Sequence, residues 1–412
     1  MAQTNIRHAS AFKPISVAEL HAIDKDNWDR VQTFNAATTQ PEEKLYELGR
    51  RVKMATDKGT FQTTLSMTQF EYGTIDSFLQ LSGLSALPSG GFELSDFDDP
   101  RTDFISPGKD QYGGTVEQTL WVEDMALTSF GLTINADDQI ERSFEFTGEY
   151  AKIAREGNKY VIFTTDDAPS GTSGSYTIDV SDPAPVVDPN NAGEYILKLY
   201  RIRSGVATEL DLTTDYTYSN STKLITILSA LASDHYRIWY TAASYGSAGD
   251  PEALNNSDRY YLPSENVTIT IDDGVHTAVE LTKITSFSLT ASFNRTDQAV
   301  VGSTTKLKDT ESYDVSISID QLVKNYPIEE ALMGQAGQSW GIIDYTAFDE
   351  VDVVVKIYTT SAKSVFLIGY KVPSATFADG TPANYNANAF GSNPNTLNSD
   401  ELIISTTEGD LA

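Results

Sequence analysis

No cysteine occurs in the 412 residues, which excludes disulfide scaffolds, cysteine-ligated metals and thiol nucleophiles. Histidine is scarce. The four present, His8, His21, His235 and His276, never fall within one helical turn of each other or in an H-E-x-x-H frame. A zinc site would therefore need carboxylates for most of its ligands. Positive charge is also in short supply: 29 Lys and Arg stand against 58 Asp and Glu, a net charge of −29. That is the opposite of the basic stripe with which nucleic-acid readers neutralise phosphate. No apolar run approaches the roughly 18–20 residues that span a bilayer. The opening MAQTNIRHASAFKP has no apolar h-region, so the expectation is a cytosolic product without a secretory signal and without membrane insertion.

Catalytic signatures are missing as well. No G-x-x-x-x-G-K-[ST], G-x-G-x-x-G or G-x-S-x-G string occurs. Paired carboxylates are numerous only because acids are. Asp96, Asp98, Asp99 and Asp103 could in principle offer oxygen ligands to calcium, but they lack the glycine and terminal glutamate of the helix–loop–helix site and read as a solvated loop. The expectation is a protein that is not an enzyme and carries no cofactor or metal.

What the chain does have is β-forming material. Hydrophobic residues make up 40% and charged residues 21%, with 21 Tyr and 18 Phe, the balance of a folded chain rich in strands. Its length allows two or three domains, each with a core.

One stretch is written twice. Val31 to Gly83 and Ile284 to Gly334 keep the same order of apolar, glycine and polar positions over about fifty residues. Phe34 falls opposite Phe287, Gly49 opposite Gly302 and Lys53 opposite Lys306, each displaced by 253; Ser66 and Gln69 fall opposite Ser318 and Gln321, displaced by 252. Each copy predicts strands, a loop ending in glycine, an alternating strand and a short helix. In the first copy Phe61, Thr63, Leu65 and Met67 alternate with Gln62, Thr64, Ser66 and Thr68, the period-two pattern of a half-buried sheet. Thr74 and Gly83 frame a helix over 75–81, and Pro327 opens its partner. A weaker match, LWVEDMALTSF against FLIGYKVPSATF, extends the repeat toward both ends.

The remaining chain predicts a polar loop over 38–43, an N-terminal arm over 1–30 that docks elsewhere, a long loop over 84–114, strands over 117–123, 126–135 and 140–147, and a second loop over 378–398. Between the copies, about 156–245, short strands separated by Gly, Pro and Asp indicate a small immunoglobulin-like β-sandwich, followed by a Gly/Ser/Asn-rich linker. The domain reading is 1–155, 156–248 and 249–412. The fold class expected is mainly β: two duplicated sandwich or barrel domains, each with a short helix, plus the sandwich between them.

Each copy joins two strands by a loop that ends in glycine, with Leu45, Tyr46, Leu48 and Gly49 in the first and Val300, Val301 and Gly302 in the second. Apolar tips of this kind are costly unless a neighbour covers them, which makes these residues candidate subunit contacts. With the E-L-G loop, the Ser/Thr-alternating strand, the short helix and the W-V-E-D-x-x-L-T-S-F…F-E-F-T-G string over Trp121 to Gly148, the chain resembles phage tail tube proteins over roughly 30–150 and 265–412. The resemblance implies rings stacked into the virion tail tube through which DNA passes without specific binding. It implies other tail proteins (tape measure, terminator, baseplate or tip) as partners. A duplicated tube domain implies a homotrimer with pseudo-sixfold symmetry, a homohexamer being the second choice. A β-rich fibre or baseplate surface-binding protein, using the middle sandwich as its binding module, is the competing expectation.

Overall fold

A computed structural model describes residues 13–16, 31–40, 42–45, 55–58, 61–70, 75–82, 84, 86–98, 102–109, 116–148, 150–155, 159–164, 170–172, 175–187, 195–203, 206–231, 234–244, 264, 267–272, 276–299, 306–322, 330, 351–358, 367–377, 392–399 and 401–405. The protein is mainly β, and its paired strands are antiparallel.

The first half contains β1 (Lys13–Ser16), β2 (Val31–Thr39), β3 (Glu42–Leu45), β4 (Ala55–Lys58), β5 (Gln62–Phe70), helix α1 (Asp76–Ser82), β6 (Thr102–Lys109), β7 (Val116–Asn135), β8 (Glu141–Gly148) and β9 (Tyr150–Arg155). The middle segment contains β10 (Lys159–Thr164), β11 (Ser170–Thr172), β12 (Ser175–Asp179), β13 (Pro185–Val186), β14 (Ile196–Arg203), β15 (Val206–Glu209), β16 (Tyr216–Ser219), β17 (Leu224–Ile227) and β18 (His235–Ala242). The second half contains β19 (Val267–Asp272), β20 (Val279–Glu280), β21 (Ile284–Ala299), β22 (Lys306–Leu322), β23 (Val351–Tyr358), β24 (Leu367–Phe377), β25 (Ser392–Ser399) and β26 (Ile403–Ser405).

One sheet runs through both halves in the order β2-β5-β8-β7-β21-β22-β25-β24-β23-β19-β20. Its inner face is laid down by strict alternation. On β5 the odd positions Thr63, Leu65, Met67 and Gln69 are buried while Gln62, Thr64 and Ser66 are exposed. On β8 Phe144 and Phe146 are buried and Glu141 and Glu145 exposed. Leu65 and Met67, Phe144 and Phe146, Phe130 to Ile134, Phe287 to Phe293 and Val315 to Ile319 contribute to one continuous core. Helix α1 closes this core over the first half. Its Phe78 meets Phe130 and Phe144 edge-on at 5.2 and 6.1 Å, the buried Arg142 guanidinium stacks 4.9 Å from the Phe78 ring, and the Ser77 hydroxyl donates to the Gln69 side chain. In the middle segment a five-stranded and a four-stranded sheet share a separate core, among it Ile178, Leu199, Ile225, Tyr236 and Ile238.

Several expectations are corrected. Part of the expected N-terminal arm is strand β1, paired with β6. The long loop over 84–114 contains β6 and a 3-10 turn, Leu94–Phe97. The polar loop over 38–43 gives way to β2 and β3, which with β4 and β5 form one long hairpin: Thr39 pairs with Gln62, and Leu45 with Ala55. The loop over 378–398 is strand from Ser392 onward. The two strands expected over 117–135 are one, β7, irregular between Leu127 and Ser129. The second helix lies outside the described residues except for helical Glu330.

Candidate assembly surface

The strand registers place the two halves in numerical correspondence. Phe34 pairs with Met67, and Phe287, displaced by 253, pairs with Ile319, displaced by 252. Carried along the ladders, the displacement is 251 for β8 to β25 and for β9 to β26, 250 for β7 to β24, 249 for β6 to β23 and 257 for β1 to β19. Two of the irregularities recur too. A register shift between Val31 and Thr33 matches one between Ile284 and Ser286. Another between Thr102 and Phe104 matches one between Val351 and Val353. Bulges are position-specific devices, so their repetition at counterpart positions is informative. This register aligns Leu127 with Phe377, three residues from the weaker sequence match.

At the centre of the sheet the halves meet by strand pairing. Asn135 to Ser129 of β7 run against Ser286 to Ser292 of β21. Gly131 sits in this seam, where an added Cβ would come within 2.4 Å of the Ser143 hydroxyl. Beside the seam, the first half reaches over the second. Phe92 and Ile404 exchange both backbone hydrogen bonds, at 2.8 and 3.0 Å. Gly91, at φ +88°, lies so close that a Cβ would meet the Ile403 side chain at 2.7 Å. Phe97 meets the Phe293 ring edge-on at 6.4 Å. Arg295 donates to the carbonyls of Leu127, Asp98 and Phe97 at 2.8–3.0 Å, and the Tyr313 hydroxyl donates to the Asp98 carboxylate.

The outer face of β5, β8, β7, β21 and β22 is chemically uniform. The row Ser66, Glu145, Ser129, Ser292, Asp314 crosses five strands, and the rows beside it carry Thr64, Thr147, Ser143, Thr290, Ser316 and Ser318. Hydroxyls and carboxylates bridge the strands: Ser129 donates to Glu145 at 3.1 Å, Ser286 to Asp320 at 3.0 Å, and Asn294 to Asp314 at 2.7 Å. These rows carry acids and no lysine or arginine.

The middle segment is tied to the first half by a charged clamp. Glu123 of β7 accepts from Lys152 of β9 at 3.0 Å and from Lys198 of β14, and Lys152 lies 4.6 Å from the centre of the buried Trp121 ring. Burial alone would raise the Glu123 carboxyl. The two ammonium groups, Lys198 foremost, more than offset it and hold the group below its ordinary value. Within the middle segment, buried Asp234 takes both ends of the Arg203 fork at 2.7 Å. Desolvation is again outweighed, here by the Arg203 hydrogen bonds, and the carboxyl is lowered.

Of the predicted contact residues, Leu45 is the last paired residue of β3. Tyr46, Leu48 and Gly49 follow it in the segment between Leu45 and its partner Ala55, and Val300, Val301 and Gly302 fall between the paired Ala299 and Lys306; these six lie outside the described residues. In the acidic cluster, Asp96 accepts from the Glu93 N–H in the 3-10 turn, and Asp98 accepts from Tyr313; Asp99 and the Asp103 side chain lie outside the described residues. Sequence reading missed Phe92, Phe97, Arg295 and Tyr313 as junction residues. The displacement of 253 places β21 opposite β2, but nothing in it says which strand lies beside β21. The chain matches no family model and no curated protein.

Proposed function

We propose that the chain is a structural virion protein, the subunit of a viral tail tube. It is built of two copies of one tube domain (1–155 and 249–412) joined by an immunoglobulin-like sandwich (156–248). The β7–β21 seam carries the reading. A pairing between one copy and the start of the next is heterologous: it leaves the start of the first copy available to another chain. The unused start is β2, the counterpart of β21, which among the described residues pairs only with β5. Repeating the seam between chains consumes that edge, and when the rotation closes, a ring with no free strand remains. Three chains then supply six copies. The hydroxyl- and carboxylate-bearing face becomes the lumen wall, a surface that offers DNA phosphate no cation to hold it. On this reading the predicted contact residues Leu45, at the last described pair of β3 and β4, and Leu48, just after it in sequence, reach neighbouring subunits.

Native mass spectrometry and negative-stain microscopy of the purified chain, across a salt series, test this. The expected outcome is a trimer and rings or tubes of uniform bore, favoured by salt because screening relieves the repulsion between chains of charge −29. A monomer at every salt concentration, with no rings, would overturn it. Leu45→Asp and Leu48→Asp are expected to fold and fail to polymerise.

A further inference from the structure

We infer that Phe61 and Ile153 form the seat on which the second half of a neighbouring copy of this chain closes. The inference rests on the tube reading and names the surface through which it works.

Among the described residues, six large hydrophobic side chains are exposed, and only Phe61 (48%) and Ile153 (54%) lie outside the middle segment. Ile153 pairs across the sheet with Leu120, which packs against the main core. Phe61 directly precedes β5 and shares the parity of Thr63, Leu65 and Met67, all buried, so alternation assigns it to the covered face.

The registers explain both. The β5-to-β22 displacement of 252 takes Phe61 to Tyr313, and the β9-to-β26 displacement of 251 takes Ile153 to Ile404. Those counterparts are covered, and by one segment. Ile404 is 1% exposed and its backbone pairs with that of Phe92; Tyr313 is half-buried and hydrogen-bonds Asp98. Residues 91–98 of the first half thus lie over these two positions of the second. Within one chain nothing described plays that part for the first half, and the two apolar residues left bare are the two whose counterparts it covers. The side of β2 away from β5, which no described strand pairs, is the counterpart of the β21 edge that β7 occupies in the same junction. Strand edge and apolar seat therefore call for one occupant: the second half of another copy, arriving as the first half arrives on the second within the chain. The seats are alike without being identical, since Tyr313 is replaced by Phe61 and the register position of Arg295 by Glu42. The junction between chains therefore has its own polar pairing.

The test uses Phe61→Asp, Ile153→Asp and, as a control for added surface charge, Leu228→Asp, an exposed position (46%) of the middle segment. Each variant is compared with wild type by thermal unfolding, native mass spectrometry and negative stain. Burying a carboxylate in an apolar contact is costly. The expected result is unchanged unfolding of the free chain and a fall of more than about tenfold in the assembled fraction for Phe61→Asp and Ile153→Asp, with normal assembly for Leu228→Asp and for Phe61→Tyr, which installs the counterpart residue. Hydroxyl-radical footprinting supplies a second readout: Phe61 is oxidised in the free chain and protected in the ring. Normal assembly of Phe61→Asp and Ile153→Asp overturns the inference, as does unfolding of either variant's free chain. Rings in which Phe61 remains accessible assign the patch to another partner and overturn it too. A wild-type chain that never assembles refutes the tube reading itself.

Discussion

The two halves correspond in strand register and in two bulges, yet they differ in what protects them. In the second half, the Ile404 backbone pairs with that of Phe92 and Tyr313 bonds to Asp98, while β21 has a strand on either side. In the first half, Ile153 and Phe61 are exposed, and among the described residues β2 pairs only with β5. On the proposed tube reading, this unequal cover reflects the place of each half in a series rather than its own sequence pattern. On that reading the second half is the downstream member of a junction within the chain, and the first would be the downstream member of a junction between chains. Edges of this length are ordinarily blunted by lysine, proline or a covering segment. β2, VQTFNAATT, contains no lysine or proline.

The comparison is broken most severely at the crossing segment. Gly91→Val puts a branched side chain at φ +88° against Ile403 and the Ile404 carbonyl. Backbone strain and overpacking together are expected to cost about 3–5 kcal/mol. Chemical denaturation should show this loss in the second half, which the segment covers. A similar substitution at Gly90, also at positive φ but with open space around it, should pay only the strain, and the difference between the two isolates the crossing contact.

Next in size is a change that should leave both halves alone. Asp234→Ala strands the Arg203 guanidinium and removes an acceptor used by the Leu231 N–H. Losing one member of a buried pair costs roughly 3–5 kcal/mol, and less here because Arg203 is partly exposed. Calorimetry is expected to show an earlier transition for the middle segment, with the transition of the two flanking halves unmoved. A single shifted transition for the whole chain would show that the segments unfold as one unit.

Much of this arrangement was legible in the sequence, and the failures have physical causes. The displacement of 253 falling to 252 aligns Phe34 with Phe287 and Met67 with Ile319, and the structure pairs Phe34 with Met67 and Phe287 with Ile319. It worked because side-chain period and hairpin register are locked together. β1, KPIS, and β25, SNPNTLNS, carry no apolar alternation. Their strand state comes from ladder partners on β6 and β22, so tertiary pairing overrides local composition. Alternation correctly assigned Leu65 and Met67 to the core but also assigned Phe61 there, because a period records which face a residue is on and not whether that face is covered. The pairing of Phe92 with Ile404 joins positions 312 residues apart and has no local signature.

The clamp between the first half and the middle segment sharpens the comparison from another side, since Lys198 of the middle segment meets Glu123 of the first half. Glu123→Gln is expected to cost about 2 kcal/mol, the scale of hydrogen bonds to a charged group. The pH dependence has a definite sign. The Glu123 carboxyl is held lower in the folded chain than its ordinary value. Its contribution is therefore fully present above the ordinary carboxylate range and is lost as pH falls through the depressed folded value. Hydrogen exchange at the contact between β7 and the middle segment should rise on acidification in wild type. In Glu123→Gln it should already be raised at neutral pH and respond less to acid.

The smallest effect belongs to a single oxygen. Tyr313→Phe keeps the ring that meets Phe293 at 5.8 Å and removes only the hydrogen bond to Asp98, making the second-half seat resemble Phe61. The expected loss is about 0.5–1.5 kcal/mol, the upper part of that range applying because the acceptor is a carboxylate. If Phe61 is the equivalent seat, Phe61→Tyr combined with Tyr313→Phe exchanges the two residues between junctions: the free chain should be as weakened as Tyr313→Phe alone, and assembly should survive. Assembly lost in the exchange but not in either single variant would mean that the two junctions discriminate between a phenol and a phenyl ring, and that the hydroxyl helps decide which half sits where.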